Sequence, residues 1–183
     1  LFHSIEKKTK LKSGKDFFLS YCPERIVEGD AVKELSELPQ IIGVNEKITW
    51  IKSKKIFQNI LDEKKILKSN WIEAELCKLF TNIYRYINFA IPNYFMMLSN
   101  YFCVEPFNLF DLMTFEYERN KGLKKPGLTA GTCLRKDYGM INENFPHTDL
   151  ILQAHKVNEF MPIFIANLIR NLDSYLNKNS IIF

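Results

Sequence analysis

The chain lacks the features that would mark a membrane-spanning or exported protein. No run is long and apolar enough to span a bilayer: the best candidate, Ile83 to Phe102, is interrupted by Arg85, Asn88, Pro92, Asn93 and Asn100. No signal peptide is visible, because Leu1-Phe2-His3-Ser4 leads straight into Glu6-Lys7-Lys8. An initiator Met is also missing, so the chain is expected to begin inside something longer. The four cysteines, Cys22, Cys77, Cys103 and Cys133, form no Cys-x-x-Cys pair and fit no zinc spacing. Reduced thiols in a cytoplasmic protein are the expectation. The three histidines, His3, His147 and His155, are too dispersed to suggest a metal site. No basic block is present: the net charge is only +4, and lysines mix with acids as in Glu63-Lys64-Lys65. Nucleic acid is therefore not an expected partner. Internal repeats and low-complexity segments are absent too.

What remains is a globular composition, 46% hydrophobic and 25% charged over 183 residues, enough for one compact domain or parts of two. The pattern falls into three parts. Phe17-Phe18-Leu19-Ser20-Tyr21 and Gln40-Ile41-Ile42-Gly43-Val44 read as short buried strands, and Glu46 to Leu61 has helical spacing. Strand, strand, helix matches the trailing edge of an α/β sheet. Ser69 or Asn70 then offers an N-cap, with Glu73 and Glu75 in the first turn of a long amphipathic helix. A shorter helix follows from Pro106 to about Thr114. Lys121 to Gly131 is the one Gly/Pro-dense stretch. Helices are expected again from about Leu134 to Asn142 and from about Thr148 to Leu176. A helix apolar on one face needs a partner, in this chain or in a second copy. The expected class is α+β, predominantly α-helical.

Three places could carry chemistry. Cys133 follows the Gly-containing loop at the start of a helix, where backbone N–H groups favour an anion. Lys136 is near, and Asp137, four residues on, shares the same helical face. A thiolate beside a carboxylate suits covalent chemistry at a carbonyl, although a buried structural cysteine is the plainer reading. On the long helix, Glu75, Lys78, Asn82 and Arg85 recur at three- and four-residue spacing. They are either a solvated stripe or, at Lys78 and Asn82, donors to a developing oxyanion. Finally, Glu24 and Glu28 lie four apart directly after a strand, where α/β sheets place ligands, unless they form an ordinary surface turn.

Together these segments resemble a family pattern. Tyr21-Cys22-Pro23-Glu24-Arg25-Ile26-Val27-Glu28-Gly29, flanked by Lys15-Asp16-Phe17-Phe18 and Leu38-Pro39-Gln40-Ile41-Ile42-Gly43, resembles the Pro-Glu-Arg region of the UDP-glucose/GDP-mannose dehydrogenase family. Glu73 to Asn82 is similar to that family's central-domain helix with its catalytic Lys and Asn. Gly131-Thr132-Cys133-Leu134-Arg135-Lys136-Asp137 is similar to the catalytic-cysteine loop, and Asn158-Glu159-Phe160-Met161-Pro162 to the end of the central domain. Four blocks in family order, from about Gly14 to Ala166, carry more weight than any single motif. The chain departs from the family in lacking a Gly-x-Gly-x-x-Gly loop, and Cys22 stands where Ser or Asn is more usual.

The resemblance implies oxidation of a nucleotide sugar's C6 alcohol to a carboxylate with NAD as cofactor. Cys133 would carry the thiohemiacetal and thioester, Lys78 and Asn82 would stabilise oxyanions, Asp137 would handle water, and Glu24 would assist base chemistry and hydrolysis. Glu28 would lie near the sugar, and Arg119 is the candidate for the arginine that completes a partner subunit's sugar site. The implied layout is the end of a Rossmann-like NAD-binding domain over 1–68, a central helical dimerisation domain over 69–168, and the start of a linker towards a nucleotide-binding domain over 169–183. A homodimer through the central helices is implied, with UDP-glucose the favoured substrate and UDP-N-acetylmannosamine and GDP-mannose open. The chain by itself is expected to be inactive. The competing readings are a non-catalytic dimerisation module derived from such an enzyme, and a β-hydroxyacid dehydrogenase-like protein, which has no use for a nucleophilic cysteine.

Overall fold

The structure is a computed structural model of the chain and describes residues 2–26, 29–129 and 131–176. Its contacts divide the chain into two compact units, Leu1–Phe80 and Thr81–Phe183.

The first unit is organised around a β-α-β piece. Strand β1 (Gln40–Gly43) and strand β2 (Ile66–Ser69) pair in parallel, with Gln40 opposite Ile66 and Gly43 opposite Ser69. Parallel strands need a crossover, and α3 (Lys47–Phe57) lies between them in the chain. Ile42, Val44, Leu61 and Ile66 form the buried core, with Cys22, Trp50 and Phe57 packed against it. Each such aliphatic side chain contributes roughly 1.5–3 kcal/mol when fully buried. Two short helices precede the sheet, α1 (Phe2–Thr9) and α2 (Ala31–Glu37). Neither helix shows in the sequence pattern. Helix α2 buries no residue, so it leaves no apolar stripe to read.

Two sequence expectations need correction here. The strand expected over Phe17–Tyr21 is reduced to one antiparallel bridge, Tyr21 with Gly43, through N–H···O bonds of 2.9 and 2.8 Å. The chain before it is drawn into a turn: Gly14 donates to the Phe17 carbonyl at 2.9 Å, and the Asp16 carboxylate accepts from the Lys12 N–H at 2.8 Å. Phe18 is left exposed as a result. The helix expected to reach Leu61 stops at Phe57, because the Asn59 side chain takes the carbonyls of Lys55 and Ile56, each at 3.2 Å.

Helix α4 (Trp71–Tyr101) begins with a reciprocal cap. Asn70 Oδ1 accepts the Glu73 N–H at 2.9 Å, while Glu73 Oε2 accepts from Asn70 N–H at 3.3 Å and from Ser69 Oγ at 2.7 Å. Those bonds, the one from Ser69 foremost, hold the Glu73 carboxyl below its ordinary range. The helix then continues through a fully buried Pro92.

The second unit contains the rest of α4, then α5 (Pro106–Thr114), α6 (Thr132–Asn144) and α7 (Asp149–Leu176). Pro106 stands at the start of α5, whose first N–H groups are accepted by the Glu105 carboxylate. Tyr86, Leu134 and Tyr138 make the core of this unit, joined by Phe89, Ile151 and Leu152, so α4, α6 and α7 pack on one another. The architecture is α+β and predominantly helical, a β-α-β piece followed by long helices, as the sequence predicts.

Candidate active site

The second unit brings together two residues that stand 55 positions apart. Asn82 on α4 donates through Nδ2 to Asp137 Oδ2 on α6 at 2.5 Å. Both are almost fully buried, at 5% and 3% exposure, which excludes the solvated-stripe reading for Asn82. A buried carboxylate needs a donor, and the amide of Asn82 supplies one while keeping its second N–H for another acceptor.

Cys133 is the second residue of α6, one helical turn before Asp137, and it is exposed. Gly131 at the N-cap has φ +82°, a conformation that L side chains rarely adopt, so the loop enters the helix through a position suited to glycine. The thiol therefore sits at the positive end of a 13-residue helix with free access to a ligand. Lys78 lies one turn before Asn82 on α4 and is half-buried, while Glu75 and Arg85 are exposed.

A polar network that the sequence did not announce fixes α6 and α7 around Tyr86. Tyr86 is fully buried; its hydroxyl lies 2.9 Å from His155 Nδ1 and donates to Glu159 Oε1 at 3.3 Å. With that proton directed at Glu159, His155 donates through Nδ1. Glu159 in turn receives Arg135 Nε at 2.7 Å, and His155 stacks on Tyr138 with ring centroids 4.4 Å apart. Burial, and the Glu159 carboxylate that opposes a phenolate and accepts its proton, push the Tyr86 phenol up to about 12. Beside this network Asn158 donates to the Tyr86 carbonyl at 2.9 Å and accepts from Asn93 at 3.0 Å, and Asn93 takes the Gly127 N–H at 2.9 Å. The loop before Cys133 is thus tied to the α4–α7 interface. Thr129 in that loop holds its hydroxyl out of solvent with no hydrogen-bond partner among the described residues. The only sequence signal for this network was asparagine recurring inside strongly helical segments, where its intrinsic propensity is poor.

The other expected site residues are placed as follows. Glu24 is exposed, in the first unit, and accepts the Ile26 N–H at 2.5 Å. Arg25 beside it donates to the Pro39 carbonyl, so the Pro-Glu-Arg segment is pinned to the entrance of β1. Arg119 is exposed; it donates to the Tyr117 hydroxyl at 3.1 Å and its guanidinium lies 5.6 Å from that ring's centroid. Glu28 lies outside the described residues.

No family model matches the chain. Over 168 residues it is 33% identical to UDP-N-acetyl-D-mannosamine dehydrogenase of Pyrococcus horikoshii, which covers 90% of this chain and 39% of that protein. The protein of the same name from Methanocaldococcus jannaschii is 30% identical over 164 residues, covering 89% of this chain and 38% of the relative. The solved structure of the Pyrococcus horikoshii enzyme aligns with a TM-score of 0.83 at 28% identity, over 96% of this chain and 42% of that one. The chain is homologous to a segment of the nucleotide-sugar dehydrogenases.

Among nucleotide-sugar dehydrogenases, the relatives above act on UDP-N-acetyl-D-mannosamine by name, and the preference for UDP-glucose read from the sequence gains no support from them. The chain spans less than half the length of either relative. Among the described residues it also shows no glycine-rich cradle for a dinucleotide. It has no Gly-x-Gly-x-x-Gly, and at the start of α3 after β1 the Glu46 carboxylate caps no helix N–H but gathers two hydroxyls. Ser13 Oγ donates to that carboxylate at 2.9 Å and Thr49 Oγ1 at 3.0 Å. The residues present thus include no glycine-rich loop to hold the phosphates of NAD. Among the described residues, no group of His, Cys, Asp and Glu could hold a metal, and no helix is long and apolar enough to cross a membrane.

Proposed function

We propose that this chain carries the thiol-bearing reaction site of an NAD-dependent nucleotide-sugar dehydrogenase, which oxidises the C6 alcohol of a UDP-sugar to a carboxylate. One observation carries the reading. An exposed cysteine opens α6 one turn before a buried carboxylate, and that carboxylate is held by an asparagine from another helix. A chain kept only for assembly has no use for such an arrangement, and a hydroxyacid-type reaction has no use for the thiol. UDP-N-acetylmannosamine replaces UDP-glucose as the substrate to test first, because the relatives reported above carry that name.

The residues divide the work by chemistry. The Cys133 thiolate is placed to attack an aldehyde carbonyl. The free N–H of Asn82 and the ammonium of Lys78, one turn earlier, are the donors for the oxygen that becomes negative. Asp137 keeps one oxygen for accepting a proton from water that attacks a thioester on Cys133. Glu24 assists hydrolysis, Glu28 contacts the sugar, and Arg119 serves a partner copy. The division at 1–68, 69–168 and 169–183, a homodimer through the long helices, and a cytoplasmic place belong to the same proposal. Acceptance of hydride is left to residues outside this chain, so the chain by itself is inactive.

The test is a full-length protein containing this segment, assayed on a panel of nucleotide sugars, with NADH counted per sugar consumed. Two NADH per UDP-N-acetylmannosamine, with Cys133→Ser stalled before the acid, is the expected result. One NADH per sugar, or full activity in Cys133→Ser, sinks the reading.

A further inference from the structure

We propose that Asn93 and Asn158 are positioning residues for Cys133, taken as the reacting thiol of the dehydrogenase reading, and act by fixing the loop through which the chain enters α6. Both amides are buried in the second unit, at 0% and 4% exposure. Asn93 Oδ1 accepts the Gly127 N–H at 2.9 Å, and Asn93 Nδ2 donates to Asn158 Oδ1 at 3.0 Å. Asn158 Nδ2 then donates to the Tyr86 carbonyl at 2.9 Å. Each end of each amide therefore has a partner, the condition on which polar groups are buried at all. Apolar side chains of similar volume would fill the same space with less desolvation. What amides add is direction, because a buried hydrogen bond holds only in one geometry.

That direction runs from helix to loop. Tyr86 stands one turn after Asn82 on α4, so the amide chain ties the loop to the stretch of helix that carries the Asn82–Asp137 bond. Among the described residues of 126–129, the Gly127 N–H makes the one hydrogen bond to a helix side chain. Leu128 is exposed, and the Thr129 hydroxyl has no partner among the described residues. The chain then passes Gly131, with its φ of +82°, and enters α6. Downstream, α6 is held by Leu134 and Tyr138 in the core and by Asp137 on Asn82. Upstream, the hold is the amide chain. The first N–H groups of a helix have no acceptor within it, so the path of the entering loop decides where they point. Cys133, the second residue of α6, lies among those groups, and they favour its reactive thiolate.

Alkylation of the full chain by iodoacetamide at fixed pH tests this, with Cys133 and the exposed Cys103 quantified separately by peptide mass spectrometry. The variants are Gly127→Pro, which removes the N–H, and Asn93→Leu, which removes its acceptor. Gly127 has no positive φ and has open space at its Cβ, so Gly127→Ala, which keeps the N–H, is the control. The ratio of the Cys133 rate to the Cys103 rate is expected to fall about two- to fivefold in both variants, the factor by which a helix N-terminus commonly favours an anion. Gly127→Ala keeps the native ratio. The double variant falls no further than Asn93→Leu, in which the Gly127 bond is already gone. Circular dichroism verifies folding, and the two Gly127 variants decide the matter if Asn93→Leu does not fold. A native or raised ratio in Gly127→Pro, an equal loss in Gly127→Ala, or additive losses in the double variant overturn the proposal. No sugar or cofactor enters this assay. A loss in Gly127→Pro alongside NADH formation that is independent of Cys133 keeps the positioning of the thiol and removes the dehydrogenase reading. Cys133-dependent oxidation with unchanged alkylation ratios does the reverse.

Discussion

Tyr86 is the residue on which the second unit turns. Its ring fills the core with Leu134 and Tyr138, and its hydroxyl joins His155 to Glu159 and through it to Arg135. Truncation to Phe keeps the ring but removes the hydroxyl's bonds to the half-buried His155 and Glu159, at a cost of about 0.5–1.5 kcal/mol in urea unfolding. The raised phenol adds a pH signature. The folded form holds its proton up to about 12, whereas the unfolded chain releases it near the ordinary 10. The stabilisation is complete below pH 10 and is lost as pH rises towards 12. Urea midpoints taken across that window are expected to fall more steeply for the native chain than for Tyr86→Phe; parallel declines would contradict the assignment.

At the scale of elements, β1 and α4 meet closely at Gly43. A Cβ on Gly43 would lie 2.7 Å from Ala74 Cβ and 2.9 Å from the Asn70 carbonyl oxygen. The oxygen is backbone at the start of α4, so it cannot swing aside. Gly43→Ala is expected to lower stability by about 1–3 kcal/mol, while Gly127→Ala, with open space at its Cβ, serves as the control in the same thermal melts. Asn70 caps the same helix, and its replacement by Ala is expected to cost about 0.5–2 kcal/mol. Glu73 forms the other half of that cap. Its lowered carboxyl contributes above its ordinary range and ceases to do so as pH falls through the folded value, so the Asn70→Ala penalty should shrink in acid.

For the whole molecule, the long helices leave large apolar side chains in solvent, among them Ile91, Tyr94, Leu98, Phe160 and Ile163. Leu98 and Phe102 also line an apolar groove of ≈ 360 Å³ with Phe95, Val104, Leu109 and Met113. Exposed apolar patches of this kind mark association surfaces. Sedimentation of the purified chain is expected to give a dimer, and Leu98→Asp to give a monomer at the same concentration. A native chain that sediments as a monomer at all concentrations would remove the dimer from the proposed function.

The sequence by itself determined the elements whose pattern is long or whose ends are chemically marked. Helices α4 and α7 follow from apolar spacing over many turns, β1 from an apolar run behind Pro39, and the start of α4 from Asn70 and Glu73. It also marked Cys133, Asp137, Lys78 and Asn82 as chemistry-bearing types. Only the tertiary structure decided what joins them. The Asn82–Asp137 bond crosses 55 residues, and the Tyr86–His155 and Asn93–Asn158 bonds cross 69 and 65. No local spacing encodes partners so distant. Tertiary contacts likewise settled the short elements: Phe17–Tyr21 lost its ladder to a turn at Gly14, while Ile66–Ser69, with one buried residue, became a strand because Gln40–Gly43 offered it a partner. Short strands gain their hydrogen bonds from neighbours, whereas a helix closes its own, which is why the long helices were readable from sequence and strand β2 was not.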